Sequence, residues 1–310
     1  MEQAPVQRAS NPALPRAGLL LLIGLTFVWG FNWPVMKIAL TEISVWWFRG
    51  ACLVFGGFGL LALAAISGQR LTVARHEFGA LLLTSVFAVM GWHVLTGFGV
   101  TMMPAGRAVI IAFTMPVWAA LASAWLLGER ITPLTVIGLV LGLCGLAVLI
   151  GPDLVALEQA PIGALFMLGG AICWAIGTVL FKRFAWTASV VTTMAWQLLA
   201  AAIPVTAIAV WTEPPPNPFA LSEPVLWALA YVLLLPMTFG QWAYFRIVKL
   251  FPATVAALGT LAIPIVGVYS SAILLGEAVG NREVIALGLT CAALATILLL
   301  PNILARRTRP

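Results

Sequence analysis

A chain of 310 residues that is 62% hydrophobic and 8% charged, with a net charge of +6 and a mean hydropathy of +1.08, is not a soluble globular domain, in which about 25% of residues are charged. So few polar groups cannot cover a water-exposed surface, and the composition is that of an all-α integral membrane protein. Its continuous apolar runs suit spanning helices of about 20 residues and not the alternating ten-residue strands of a barrel.

Ten such runs follow one another in chain order. After a tail at 1–16 comes the run 17–38, holding "FVWGFNWPVMK" with Trp29 and Pro34. It is too long for a cleaved signal peptide and lacks a small-residue cleavage site. The second run, 44–66, carries Arg49 five residues in, within "FRG". The third, 78–100, contains "GWH" with Trp92 and His93, and Thr96 one turn on. The fourth, 105–127, holds Phe113, Met115 and Pro116 and closes on "LLGE" at Leu126–Glu129. A fifth run, 133–151, ends the first half.

The second half begins with 162–181, which contains Trp174, followed by 188–211 with Gln197 and Pro204. The eighth run, 225–247, holds Pro236, Gln241, Trp242 and Tyr244. The ninth, 253–275, carries Pro264 and closes on a second "LLGE" at Leu274–Glu277. The tenth is 284–304, before a basic tail at 305–310. No gap is long enough for a soluble domain. Cys52, Cys144, Cys173 and Cys291 all lie inside runs as small hydrophobes, with no disulfide framework and no metal site.

With the N-terminus inside, twelve basic residues fall in cytoplasmic segments, whereas the outside loops hold Lys37, Arg107 and Arg282. That bias predicts both termini in the cytoplasm. Sliding the chain by 148 matches Pro104 with Pro252, Pro116 with Pro264, Ser123 with Ser271 and Gly128-Glu129 with Gly276-Glu277. A shift of 145 matches Gly18 with Gly163, Trp29 with Trp174 and Lys37 with Lys182. Ten helices as a 5+5 inverted-topology repeat, 17–151 and 162–304, are expected, because an odd number of spans turns the second copy over. Glu129 and Glu277 then lie on opposite sides of the membrane, each reading as a capping carboxylate between the helices of its pair.

In such repeats the solute site lies at mid-membrane near matched helix interruptions. Pro116 and Pro264, each at the midpoint of its run, are expected to bow their helices around a central space as hinges. His93 is the one titratable residue near mid-membrane and marks a functional site by default, with a neutral structural imidazole as the alternative. Gln241 is its counterpart at the 148 shift. Trp29, Trp118, Trp174, Trp196 and Trp92 read as deep, and Trp33, Trp46, Trp47, Trp125, Trp186, Trp211 and Trp227 as interfacial. The deep rings with His93 and Gln241 describe an apolar pocket with few polar handles. A central arginine costs about 2.5–3.5 kcal/mol. Arg49 therefore either snorkels outward, makes a structural contact or grips an anionic group, and it is grouped with Glu129 and Glu277 as structural.

No phosphate-binding loop, zinc-protease helix or nucleophile elbow occurs, and the basic residues form no nucleic-acid patch, so no ATPase subunit, cofactor or nucleic-acid partner is indicated. No run contains Asp or Glu, which disfavours cation–proton drug exchange. A small, net-neutral, partly apolar solute remains.

The doubled proline-to-"LLGE" block, "FVWGFNWPVMK", "FRG" and the 5+5 arrangement resemble the EamA-type drug/metabolite transporter superfamily over nearly the whole chain. "GWH" and the aromatic centre are most similar to its YddG-type aromatic amino-acid exporters. The resemblance implies a multi-pass bacterial inner-membrane exporter of aromatic amino acids, with a pocket of His93, Trp92, Thr96, Phe113, Met115 and Trp174. Trp29, Gln241 and Trp242 join that site from the residue reading. A polyspecific drug or metabolite exporter is the alternative; an intramembrane enzyme or scaffold is a remote one.

Overall fold

The computed structural model describes residues 16–156, 162–250 and 253–300; positions 1–15, 157–161, 251–252 and 301–310, which include the last four of the tenth run, lie outside them. The described residues are helices and connecting turns without a strand. In chain order these are α1 (Arg16–Ala39), α2 (Val45–Ile66), α3 (Arg75–Thr101), α4 (Ala105–Leu127), α5 (Pro133–Ala156), α6 (Ile162–Arg183), α7 (Val190–Thr212), α8 (223–250), α9 (Ala253–Leu275) and α10 (Asn281–Leu299). Eight are long and apolar enough to cross a membrane, and the apolar α5 and α9 accompany them.

Helix ends follow local chemistry. Ser44 and Ser189 cap α2 and α7, accepting the N–H groups of Trp47 and Thr192 at 3.4 and 3.1 Å. Ser44 also donates to Glu213, and Ser189 donates to Gln69. Gly128 and Gly276 both stand at φ +67°, the left-handed conformation that ends a helix at little cost only for glycine. The glycine of "LLGE" therefore turns the chain, and the glutamate follows it out of the helix. Outside the spans, hydrogen bonds from Ser222 hold the Glu42 carboxyl below its ordinary pKa.

Packing interleaves the two halves. α2 lies along α7 and α5 along α10, while α1 packs on α9 and α8, and α6 on α4 and α3. The largest buried cluster joins α1, α4, α8 and α9 through Met36, Ile110, Ile111, Val232 and Val268. Charged partners bridge the halves as well. Lys37 meets Glu277 at 3.2 Å and Lys182 meets Glu129 at 2.5 Å.

Two expectations need correction. The two prolines do not occupy matching positions in their helices. α4 is broken at Phe113 and Thr114, and Pro116 stands in the first turn of the second piece, Met115–Leu127. Proline is favoured there because its missing N–H would have no helical partner. Pro264, by contrast, sits inside the unbroken α9. Glu277, moreover, does not cap within its own helix pair: it accepts the N–H groups of Ala105 and Gly106, at the start of α4, at 2.7 and 2.9 Å. α4 presents free amides and a positive dipole end at that point, and α9 delivers the carboxylate to it.

Candidate functional site

α3 and α8 share an irregularity that periodicity does not reveal. Ser85–Gly91 and Leu235–Phe239 are π-helical, and each segment ends just before the polar residue singled out on its helix, His93 or Gln241. π turns insert a residue into the helical repeat and recur at functional sites. In α3 the widened turn lies so close to α6 that a Cβ on Gly177 would fall 2.3 Å from the Ala88 nitrogen. In α8, Pro236 supplies part of the cause, since it has no N–H for the regular ladder.

Immediately beyond the π turn, Trp92 connects rings from three helices. Its centroid lies 6.4 Å from Trp33 of α1, nearly edge-on at 89°, and 6.4 Å from Trp174 of α6 at 57°. Edge-to-face and tilted pairs of this kind fit the aromatic quadrupole. Trp33, read from sequence as interfacial, is thus buried at the α1–α3 contact. Trp125, Trp211 and Trp227 are strongly exposed, as belt residues are. Trp196 is not deep: it is part-exposed and its indole donates to the Leu71 carbonyl at 2.7 Å.

His93 is buried on α3, and neither ring nitrogen has a hydrogen-bond partner. Thr96, one turn on, donates to the Trp92 carbonyl at 2.6 Å and accepts from Arg49 Nη2 at 3.0 Å. Arg49 is 3% exposed, so it does not snorkel; its other polar contact is Met36 Sδ at 2.9 Å. Gln197, which the 148 shift matches to Arg49, instead donates to Thr84 Oγ1 at 2.6 Å and holds α7 to α3. Asn32 Oδ1, one turn before Met36 on α1, is also buried without a partner.

The remaining predicted residues separate into two groups. Phe113 is buried in the central cluster with Met115 packed against it, at the break in α4. Thr114 holds that break, donating to the Ile111 carbonyl at 2.6 Å and accepting from the Trp118 indole at 3.0 Å. Trp29 leans toward α8 and pairs with Tyr244 at 5.5 Å. Trp242 packs on Phe239 in a cluster with Leu22 and Leu25. Gln241 is partly buried beside it, and no hydrogen bond joins it to His93. His93, Thr96, Trp92 and Trp174 thus form one group on α3 and α6, and Trp29, Gln241 and Trp242 another where α1 meets α8.

Trp33, Asn32 and Met36 were missed as site residues. The signal available for them was their i, i+3 and i, i+4 spacing on one stripe of α1. A separate apolar surface crevice of about 310 Å³ lies between α3 and α7, lined by Phe78, Leu82, Trp196 and Ile203, away from this group. Among the described residues no cluster of His, Cys, Asp or Glu could hold a metal ion.

The EamA-like transporter family model matches the chain twice, over residues 16–151 and 161–299. The Bacillus subtilis transporter YoaV is 23% identical over 277 residues, covering 89% of this chain and 94% of its own length. The aromatic amino acid exporter YddG of Ancylobacter novellus is 26% identical over 170 residues, covering 53% of this chain and 58% of its own. A solved crystal structure superposes with a TM-score of 0.65 at 20% identity, over 95% of this chain and 99% of that one. With the family model covering both halves, this multi-helical membrane chain belongs to the EamA-like transporter family.

Proposed function

We propose that this protein is a secondary exporter of small amphipathic solutes, foremost aromatic amino acids, working by alternating access in a bacterial inner membrane. Its two five-helix repeats, 17–151 and 162–304, are inverted with respect to each other, with the tails 1–16 and 305–310 on the cytoplasmic side. The observation that carries the substrate reading is the Trp33–Trp92–Trp174 ring series beside a His93 whose nitrogens are unpartnered. Rings offer π faces to an aromatic side chain, and a buried imidazole without partners gains a hydrogen bond when a polar solute arrives. The similarity to an aromatic amino acid exporter supports the same substrate class.

Reciprocal contacts support the inverted repeat. Lys37 and Lys182 correspond at one shift, Glu129 and Glu277 at another, and the structure pairs each lysine with the glutamate of the other half. The two pairs differ in enclosure: side-chain exposure is 28% and 14% for Lys37 and Glu277, but 65% and 47% for Lys182 and Glu129. One end sealed and the other loose is the pattern a rocking pair of repeats adopts in one of its two states. The break in α4 without a counterpart in α9 fits the same asymmetry.

The test is counterflow of labelled tryptophan in proteoliposomes, with and without a pH gradient. Wild-type protein is expected to exchange tryptophan, and His93→Ala to lower the rate at least about tenfold by removing a polar contact worth about 1.5 kcal/mol or more, while keeping its thermal stability. Unchanged exchange in a folded His93→Ala variant retires this site. Competition by cationic dyes as strong as by phenylalanine turns the reading to a polyspecific exporter.

A further inference from the structure

A buried guanidinium is costly unless a carboxylate or several good acceptors surround it. Arg49 has neither. Its Nη2 donates to a thioether, a weak acceptor, and to the Thr96 hydroxyl; its Nε is buried without an acceptor. Of the ion pairs found among the described residues, none includes Arg49. It is wedged against α3, where a Cβ on Gly97 would lie 3.1 Å from Nε. On the same helix His93, one turn before Gly97, holds two further unpartnered nitrogens. A fixed positive charge, free N–H donors and no resident anion therefore converge at the α2–α3 contact.

We infer that Arg49, with His93, is the anchor for a carboxylate on the transported solute. The inference rests on the transporter reading above and deepens it. Arg49 changes from a structural residue to a binding residue, and the pole that is recognised first is the acid and not the amine. Planar guanidinium–carboxylate pairing supplies two parallel charged hydrogen bonds and satisfies Nε, which no protein group does. The same charge repels an ammonium group that arrives without a carboxylate. Aromatic amino acids and aryl-alkanoic acids fit this site, whereas aryl-alkylamines and organic cations do not.

The experiment measures equilibrium binding of phenylalanine, 3-phenylpropionate, phenethylamine and 3-cyclohexylpropionate to the purified full-length protein. Phenethylamine is expected to bind about 10- to 100-fold more weakly than phenylalanine, the range for loss of charged hydrogen bonds. Arg49→Gln should erase that preference, and Arg49→Lys should retain part of it. Equal binding of phenethylamine and phenylalanine, no binding of any carboxylate, or a ratio unchanged in Arg49→Gln overturns the anchor. If Arg49→Gln does not fold, the wild-type series alone decides. Equal binding of the cyclohexyl and phenyl acids keeps the anchor and removes the aromatic preference. Strong but equal binding of the two phenyl amines, above the cyclohexyl acid, does the reverse.

Discussion

Glu277→Ala is expected to destabilise the protein by about 3–5 kcal/mol and to abolish tryptophan exchange, whereas Glu129→Ala should cost no more than about 1 kcal/mol. Glu277 serves three donors at once: the Ala105 and Gly106 amides at 2.7 and 2.9 Å, and Lys37 Nζ at 3.2 Å. Removing it leaves two amides at a helix start without acceptors, and Lys37 with only the Met103 carbonyl at 2.8 Å. Truncating one partner of an enclosed charged network costs far more than the pair contributes net. Glu129 and Lys182 are about half to two-thirds exposed, so water replaces what their pair loses. Glu277→Gln keeps an acceptor but not the charge and should fall between. Thermal unfolding in detergent checks the order, and equal losses for Glu277→Ala and Glu129→Ala contradict it.

The second large effect is expected at Gly177→Ala. α6 crosses the π turn of α3 so closely that the new Cβ would sit 2.3 Å from the Ala88 nitrogen and 2.5 Å from its Cα. Both atoms are backbone, so no rotamer relieves the clash; an ordinary contact begins at 3.4 Å and the helices must part by about 1 Å. Overpacking of this kind costs about 1–3 kcal/mol. It also shifts Trp174 relative to Trp92, whose rings are 6.4 Å apart. Misplacement of about 1 Å at a site lowers rates by about a hundredfold. Gly24→Ala on α1 is the control, because its Cβ would meet nothing within 4 Å. Matching stabilities and transport rates for the two variants would remove the claim that the π turn needs this close approach.

Most of the helices were legible because length and apolarity alone decide them: the run expected at 105–127 is the span Ala105–Leu127, and 44–66 differs from Val45–Ile66 by one residue. The left-handed turn at the "LLGE" glycines was not anticipated, although a helix end with a left-handed residue selects glycine. Nor was the partner of Glu277. Caps are chosen by proximity in space, and α4 reaches α9 only after the two halves interleave. The π turns were hidden because hydrogen-bond register leaves little trace in composition; Pro236 hints at one, but Ser85–Gly91 contains no proline. At the α4 break the Thr114 hydroxyl donates back to the Ile111 carbonyl, a local bond that a midpoint proline alone does not specify. Arg49 could be placed inside the second span from sequence, and no run offers it a carboxylate, but its contacts with Met36 and Thr96 are a property of three packed helices.

The central claim, two repeats inserted in opposite senses, is tested most directly by side-specific labelling. Arg130 and Arg282, each exposed and close in sequence to one of the two glutamates, are replaced singly by cysteine in the full-length protein. An impermeant maleimide is then applied to intact spheroplasts, with the unsubstituted protein reporting the background of the four native cysteines. Label is expected at position 282 from outside, and at position 130 only after the membrane is opened. Labelling of both positions from the same face contradicts it.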